Sequence, residues 1–190
     1  MDKVRLDPEV FPPMPVTLVG AMAQGRANFM AAAWVTRVGH KPPLIGVSIN
    51  RRQLTGQAIR ETGAFSLCLP GPELVELTDY CGLVSGRNVD KSALFDVFFG
   101  ETAGAPMIRQ CPLCLEMTLA QIVELPQHAF FIGEIVAGWA DGEALTNGEP
   151  DVEKYKPLLL TMPDNRYWTL GDSPADAWSV GKKRKKGDTA

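Results

Sequence analysis

The sequence has 190 residues, of which 45% are hydrophobic and 22% are charged, and its net charge is −3 at neutral pH. These values are typical of one globular domain and exclude an intrinsically disordered chain. The longest apolar runs, such as residues 30–35, are far too short to cross a bilayer, and residues 1–5 lack the apolar stretch of a secretory signal. We therefore expect a cytoplasmic protein without a membrane segment.

The charges are unevenly distributed along the chain. Five of its 19 lysine and arginine residues lie together in residues 182–186, so the remainder of the chain is acidic. A general nucleic-acid surface would require a basic body, and the basic tail alone is more typical of a solvated chain end. We expect no nucleic-acid partner.

The first half of the chain alternates turn signals with strand patterns. Prolines are frequent in residues 1–15, which we interpret as an extended arm. Residues 15–23 have the pattern of a strand, and residues 24–26 that of a turn. Side chains then alternate like a strand in residues 34–38, and a strongly apolar strand follows in residues 44–49.

Two helices are predicted around one more strand. The first covers residues 55–61, with Thr55 as its N-cap and Gly63 as its C-terminal stop. A strand is predicted in residues 64–69. The second helix begins at a proline and covers residues 72–81.

The second half of the chain consists mainly of strands. A polar loop covers residues 85–91, long strands are predicted in residues 115–122 and 129–140, a hairpin-type turn at Asp141-Gly142, and short strands in residues 157–160 and 167–170. Strands do not alternate regularly with helices, which disfavours a doubly wound parallel sheet. We predict a mainly β fold, a closed antiparallel barrel with a few peripheral helices. The domain spans residues 16–172, with residues 173–190 as a partly disordered extension.

Residues 28–34 form the first segment with functional potential. Three consecutive alanines, Ala31, Ala32 and Ala33, let another group approach the backbone closely, and Trp34 could supply an aromatic face. The same pattern is compatible with a tightly packed core strand, and the residues alone favour that interpretation.

A second candidate site lies where the strand at residues 44–49 ends and a helix begins. Two guanidinium groups, Arg51 and Arg52, stand at that junction between the hydroxyl groups of Ser48 and Thr55. Helix N-termini attract anions through free N–H groups, and arginine forms bidentate bonds with phosphate. The junction therefore predicts an anion site, although the glycine-rich nucleotide motifs do not occur.

Two further residues have weaker signals. Lys91 follows the polar loop and could reach a phosphate, but alone it is more often a surface lysine. His128 precedes a predicted strand, where it could contact a substrate or have a purely structural role.

The four cysteines give no metal-site pattern. Cys68 and Cys81 lie in apolar patterns and are interpreted as buried free thiols, while Cys111 and Cys114 form one CxxC motif. A single CxxC supplies half a zinc site, and the strand pattern that follows disfavours a thioredoxin-type motif. We interpret this pair as reduced thiols at the start of a strand.

In order and spacing, several short motifs resemble the flavin reductase-like family, which has an FMN-binding split β-barrel, and its flavoredoxin-like members in particular. The resemblance covers about residues 10–170. Its parts are Asn28-x-Met30, Trp34-x-Thr36, Pro42-Pro43, Val47-Ser48-Ile49, Thr55-x-x-x-Ile59-x-x-Thr62-Gly63-x-Phe65, Ser85-Gly86, Asp90-Lys91 and His128-x-x-Phe131-Ile132-Gly133-Glu134-Ile135.

The resemblance implies a Greek-key-like barrel and a homodimer that holds FMN near its interface. It places the flavin ring against Asn28, Met30, Ala31, Ala32, Ala33 and Trp34, the phosphate near Ser48, Asn50, Arg51, Arg52 and Thr55, with Ser85 and Lys91 nearby, and substrate near His128. Relatives often carry serine or threonine where the three alanines stand, so here backbone amides would replace those hydroxyl groups.

The resemblance also implies a function. We expect an FMN-dependent oxidoreductase that moves electrons from NAD(P)H or a redox protein to an acceptor such as free flavin or ferric iron, with no protein acid or base strictly required. The alternatives are an electron-transfer protein of the flavoredoxin type without NAD(P)H turnover, and a non-catalytic FMN-binding module.

Overall fold

A computed structural model describes residues 2–185 of the chain, and strands make up most of its regular structure. In chain order the strands are β1 (Met14–Pro15), β2 (Thr17–Ala23), β3 (Arg26–Ala32), β4 (Val35–Gly39), β5 (Leu44–Asn50), β6 (Ala64–Leu69), β7 (Val97–Phe98), β8 (Met107–Ile108), β9 (Leu113–Glu124), β10 (His128–Ala140), β11 (Leu145–Thr146), β12 (Glu149–Pro150), β13 (Leu159–Thr161) and β14 (Arg166–Trp168).

Helices are short and lie between these strands. The α-helices are α1 (Leu54–Thr62), α2 (Val75–Leu83), α3 (Val152–Tyr155) and α4 (Lys182–Lys185), and single 3₁₀ turns cover Pro72–Leu74, Lys91–Leu94 and Gly142–Ala144. The left-handed conformation of Gly63 (φ 69°) ends α1, as the sequence predicts. In the described residues, no helix is both long and apolar enough to cross a membrane.

Seven strands form the main sheet in the hydrogen-bonded order β3-β2-β6-β9-β10-β5-β4. All neighbouring pairs are antiparallel. Along the chain, α1 alone separates β5 from β6. In the sheet, however, β9 and β10 lie between these two strands, which gives a Greek-key-like connection. This arrangement confirms the predicted mainly β, split-barrel fold.

The barrel interior is filled by alternate residues of the strands. Val19, Val47, Ile49, Phe65 and Phe131 are at most 1% exposed and belong to one apolar cluster. Alternate side chains of a strand point to opposite faces, so every second residue of these strands faces inward. The α1 helix packs Ala58 and Ile59 against the same cluster.

The outer face of β2, β3, β6 and β9 is also buried, because α2 and residues 95–111 lie over it. We call this apolar cluster the covered face. Its members are Leu18, Phe29, Cys68, Leu74, Cys81, Phe95, Met107, Ile108, Cys111 and Cys114. The same strands therefore contribute alternate residues to two apolar clusters.

Three local predictions need correction. Gln53, not Thr55, precedes α1, and Thr55 lies buried inside the first turn. Asp141-Gly142 does not close a hairpin, because a 3₁₀ turn follows it; Asn147-Gly148, with φ of 53° and 81°, makes the hairpin turn between β11 and β12. The helix predicted in residues 72–81 is divided, because a 3₁₀ turn covers Pro72–Leu74 and α2 begins at Val75.

Among the described residues, the two ends of the chain lie outside the main sheet. Residues 2–13 are exposed for the most part and carry no helix or strand. The basic segment begins in the short helix α4, and the rest of that segment lies outside the described residues.

Candidate functional site

A groove of about 260 Å³ opens between the end of β3 and the end of β5. Eight residues predicted from the sequence line it: Met30, Ala31, Ala32, Ala33, Trp34, Ser48, Asn50 and His128. Three lining residues were not predicted, namely Ile49, Gln53 and Leu160. Ile49 and Gln53 adjoin predicted residues, but Leu160 lies in β13, and nothing in its local sequence connects it with the groove.

Small side chains keep one wall of the groove open. Ala31, Ala32 and Ala33 are half-buried at the end of β3, which is the first strand in the order of the sheet. Half of the β3 backbone groups therefore point away from β2. Methyl side chains and accessible backbone suit close contact with a flat molecule.

An aromatic cluster stands at the mouth of the groove. The Trp34 side chain is 40% exposed, and its ring lies 4.9 Å from the His128 ring. Phe11 from the N-terminal arm also stacks on Trp34, with the ring centroids 6.1 Å apart and the two planes 14° apart. The arm thus contributes a residue that sequence reasoning did not connect with the site.

The N-terminus of α1 points to the same groove from the side of β5. No side chain caps this nine-residue helix, and its first turn contains no acidic residue. The Asn50 side-chain oxygen accepts a hydrogen bond from the Arg52 backbone N–H at 3.0 Å, which fixes the β5–α1 junction. N–H groups without a capping side chain, together with the helix dipole, favour an anion here.

Three arginines surround this helix end. Arg51 forms an ion pair with Glu124 at 2.9 Å and donates to the His128 carbonyl at 3.4 Å. The Arg52 carbonyl accepts from Arg87 at 3.1 Å, and Arg87 also donates to Gln57 at 2.8 Å. Arg51 and Arg52 lie next to the groove rather than among its lining residues. Sequence reasoning missed Arg87, although it lies in the predicted polar loop.

A buried polar pair lies behind the groove. The Asn28 amide donates to the Thr55 hydroxyl at 2.8 Å, and both residues are at most 5% exposed. Asn28 Oδ1 is buried without a protein partner, and a Cβ added to Gly86 would overlap it. This pair connects β3 with α1 and so holds the two walls of the groove together.

Ser85 and Lys91 lie outside the lining of the groove. The Ser85 hydroxyl accepts from the Arg87 backbone N–H at 3.3 Å. Lys91 is 3% exposed and donates to the Cys81 carbonyl at 2.7 Å, and burial lowers the pKa of its ammonium group. A phosphate contact of Lys91 stays a prediction, and it would use another of the three N–H donors of the ammonium group.

Metal-ligating side chains are not clustered in the described residues. Across residues 2–185, no group of three or more histidine, cysteine or acidic side chains is arranged to hold a metal ion. The groove combines a wall of alanine residues, an aromatic rim and a helix N-terminus that has no capping side chain.

Comparison with protein families gives one clear match. The family model for the flavin reductase like domain matches residues 12–168, which is most of the chain.

Several known proteins are similar to this chain in sequence or in structure. The structure is similar to that of flavoredoxin from Methanosarcina acetivorans, with 49% identity, a TM-score of 0.94, and coverage of 97% of this chain and 100% of that one. It is also similar to an FMN-binding protein from Thermus thermophilus, with 26% identity, a TM-score of 0.78 and coverage of 93% and 99%. A ferric-chelate reductase (NAD(P)H) from Archaeoglobus fulgidus is 26% identical over 84% of this chain and 88% of its own length.

Some relatives are longer than this chain. A protein from Aeropyrum pernix is 32% identical over 157 residues, and the match covers 81% of this chain but 59% of that protein. The shared region is therefore one part of that relative.

Proposed function

The chain belongs to the flavin reductase like domain family, and on this premise we propose that it is an FMN-binding oxidoreductase. It takes electrons from NAD(P)H or a redox protein and passes them to an acceptor such as free flavin or ferric iron. The observation that carries this proposal is the groove, in which an alanine wall and an uncapped helix end face one cavity.

The groove suits the two chemically different ends of FMN. The methyl groups of Ala31 to Ala33 and the ring of Trp34 would contact the flat isoalloxazine, while Met30 and Ile49 supply apolar surface. The helix end with Asn50, Arg51 and Arg52 would hold the phosphate through N–H groups and guanidinium charge.

Bound FMN supplies one- and two-electron redox chemistry, and the protein supplies position and electrostatics. Asn28 and Thr55 hold β3 and α1 at a fixed separation through their buried hydrogen bond. His128, Trp34 and Phe11 define the open side of the groove, where a donor or an acceptor would approach. We assign His128 to substrate contact, and no acid or base is assigned.

A second candidate is an electron carrier without direct NAD(P)H turnover. The similarity to flavoredoxin, at 49% identity, favours this alternative. Both candidates require FMN in the groove, and they differ in whether reduced nicotinamide reduces the flavin directly.

Two further parts of the proposal concern the whole molecule. We propose a cytoplasmic homodimer with FMN near its interface. Sedimentation equilibrium with and without FMN would measure the mass, and a monomer under both conditions would contradict the dimer.

The test of function is the visible absorption spectrum of the purified, dialysed protein, followed by anaerobic addition of NADH or NADPH. Flavin bands that bleach with a nicotinamide support the reductase, and bands that only dithionite bleaches support the carrier. Flavin that binds but transfers no electrons to any acceptor indicates a binding module. Protein that is colourless and takes up no added FMN contradicts the proposal.

A further inference from the structure

Three cysteines lie together on the covered face, which is the side of the sheet that faces away from the barrel interior. The register of β6 and β9 places Cys68 directly opposite Cys114. Cys111 precedes β9 in a turn closed by its N–H bond to the Ile108 carbonyl at 3.1 Å. Cys68, Cys111 and Cys114 belong to the same buried apolar cluster.

Two of these three residues, Cys111 and Cys114, line a small cavity, although they are only 4% and 1% exposed. Its volume is about 150 Å³, and Cys111 and Cys114 line it together with Arg109, Trp139 and Asp141. Cys68 is fully buried and does not line it. A small disulfide that enters this cavity could therefore approach Cys111 and Cys114 but not Cys68.

The Cys114 side chain is directed toward the turn that contains Cys111. Its thiol donates to the Ile108 carbonyl at 3.4 Å and lies 4.0 Å from the Cys111 carbonyl oxygen. Residues three apart in a turn can bring their sulfur atoms within bonding distance with little backbone movement. Nothing in the flavin groove requires this arrangement.

We propose that Cys111 and Cys114 form a thiol–disulfide exchange site for small organic disulfides, independent of the flavin groove. Cys111 attacks a sulfur atom of the disulfide RSSR, so that a mixed disulfide forms and RSH leaves. Cys114 then attacks the Cys111 sulfur, which closes the intramolecular disulfide and releases a second RSH. The two cysteine protons end on the two released thiols, the protein pair is oxidised by two electrons, and RSSR is reduced.

The protonation of the cluster sets the conditions of the reaction. Hydrogen bonding with Cys114 and Cys68, together with burial, raises the pKa of the Cys111 thiol. Because the thiolate is the attacking form, the reaction is slow at neutral pH and is best followed under mildly alkaline conditions.

The test treats the reduced full-length protein with 2-hydroxyethyl disulfide and then measures free thiols in denaturant, intact mass and tryptic peptides. Residues 110–154 contain no lysine or arginine before Lys154, so both cysteines of the pair lie in one tryptic peptide, whereas Cys68 lies in residues 61–87. We expect two of the four thiols to be lost, no retained adduct, a peptide 110–154 lighter by two hydrogen atoms, and full recovery with dithiothreitol.

Two variants provide controls. Cys81→Ala removes a thiol outside the cluster and should leave the loss of two thiols unchanged. Cys111→Ser should abolish the internal link in peptide 110–154. Folded wild-type protein that keeps all four thiols while the denatured chain reacts would overturn the proposal, as would a link between peptides 61–87 and 110–154.

Discussion

The groove and the covered face both include residues of β3, yet they satisfy their polar groups in opposite ways. In the groove, the first turn of α1 has no capping side chain, and Trp34 remains 40% exposed. Beside the covered face, the fully buried Glu116 accepts hydrogen bonds from the Thr102 backbone N–H and from Trp139 Nε1, the latter at 3.1 Å.

From this difference we infer that the groove is a binding region and that the covered face has a structural role. Buried polar groups normally find protein partners, because leaving one without a partner costs free energy. Glu116 follows that rule, whereas the first turn of α1 beside the groove has no capping side chain. A buried carboxylate held by two donors indicates a structural role, and an uncapped helix end beside arginines favours an anion.

The largest effect is expected in the packed region. A Cβ added to Gly20 would overlap the Pro106 carbonyl oxygen and the Ser66 hydroxyl, which are themselves hydrogen-bonded. Overpacking of this kind costs about 3 kcal/mol. We expect Gly20→Ala to lower the free energy of unfolding by about that amount in urea denaturation. Gly142→Ala is the matched control, because no atom lies near its added Cβ; equal stability of the two variants would contradict the packing argument.

A smaller effect is expected at the helix end of the groove. If Arg51 and Arg52 both pair with phosphate, the double variant Arg51→Ala/Arg52→Ala should weaken FMN binding by about 2 kcal/mol, since bonds to charged groups are worth that much. Fluorescence titration with FMN measures the change. Arg166→Ala removes an exposed arginine that does not line the groove and serves as control. Unchanged FMN affinity in the double variant would exclude the anion site.

The smallest effect is expected at Glu116 and depends on pH. Burial alone would raise the pKa of this carboxyl, but the hydrogen bonds from Thr102 and Trp139 outweigh burial and lower the pKa. The lowered pKa in the folded state stabilises the protein above the ordinary pKa of glutamic acid, and this contribution disappears as pH falls through the folded-state pKa.

We therefore expect Glu116→Gln to lower the free energy of unfolding by about 1 kcal/mol near neutral pH. We also expect this free energy to fall less steeply in the variant than in the wild type as the pH is lowered. Urea denaturation at several pH values measures both effects. The exposed Glu149 provides the control variant Glu149→Gln. An unchanged pH dependence of this free energy in Glu116→Gln would show that this carboxylate does not carry the stabilisation.

Much of the fold was predictable because its signals are local. The alternating apolar pattern predicted β5, β6, β9 and β10, and Gly63 predicted the end of α1. The hairpin at Asn147-Gly148 had an equally local signal, which the competing Asp141-Gly142 pair obscured.

Thr55 shows why the same reasoning fails when a distant partner competes. Its hydroxyl accepts from Asn28 across the sheet, so it does not cap the helix on which it lies. Lys91 is similar, because its ammonium group donates to the Cys81 carbonyl. For both residues, sequence reasoning could not identify the hydrogen-bond partner.

The sequence by itself determined the mainly β class, the order of most strands along the chain, and eight of the residues that line the groove, including Ala31 to Trp34, Ser48 and Asn50. Strand periodicity and turn chemistry act over a few residues, so the local sequence is sufficient to predict these features. The tertiary structure alone decided that Phe11 stacks on Trp34, that Leu160 lines the groove and that Cys68 lies in one cluster with Cys111 and Cys114. Those contacts depend on strand register and on chain segments far apart in sequence, and packing fixes them only after the barrel has formed.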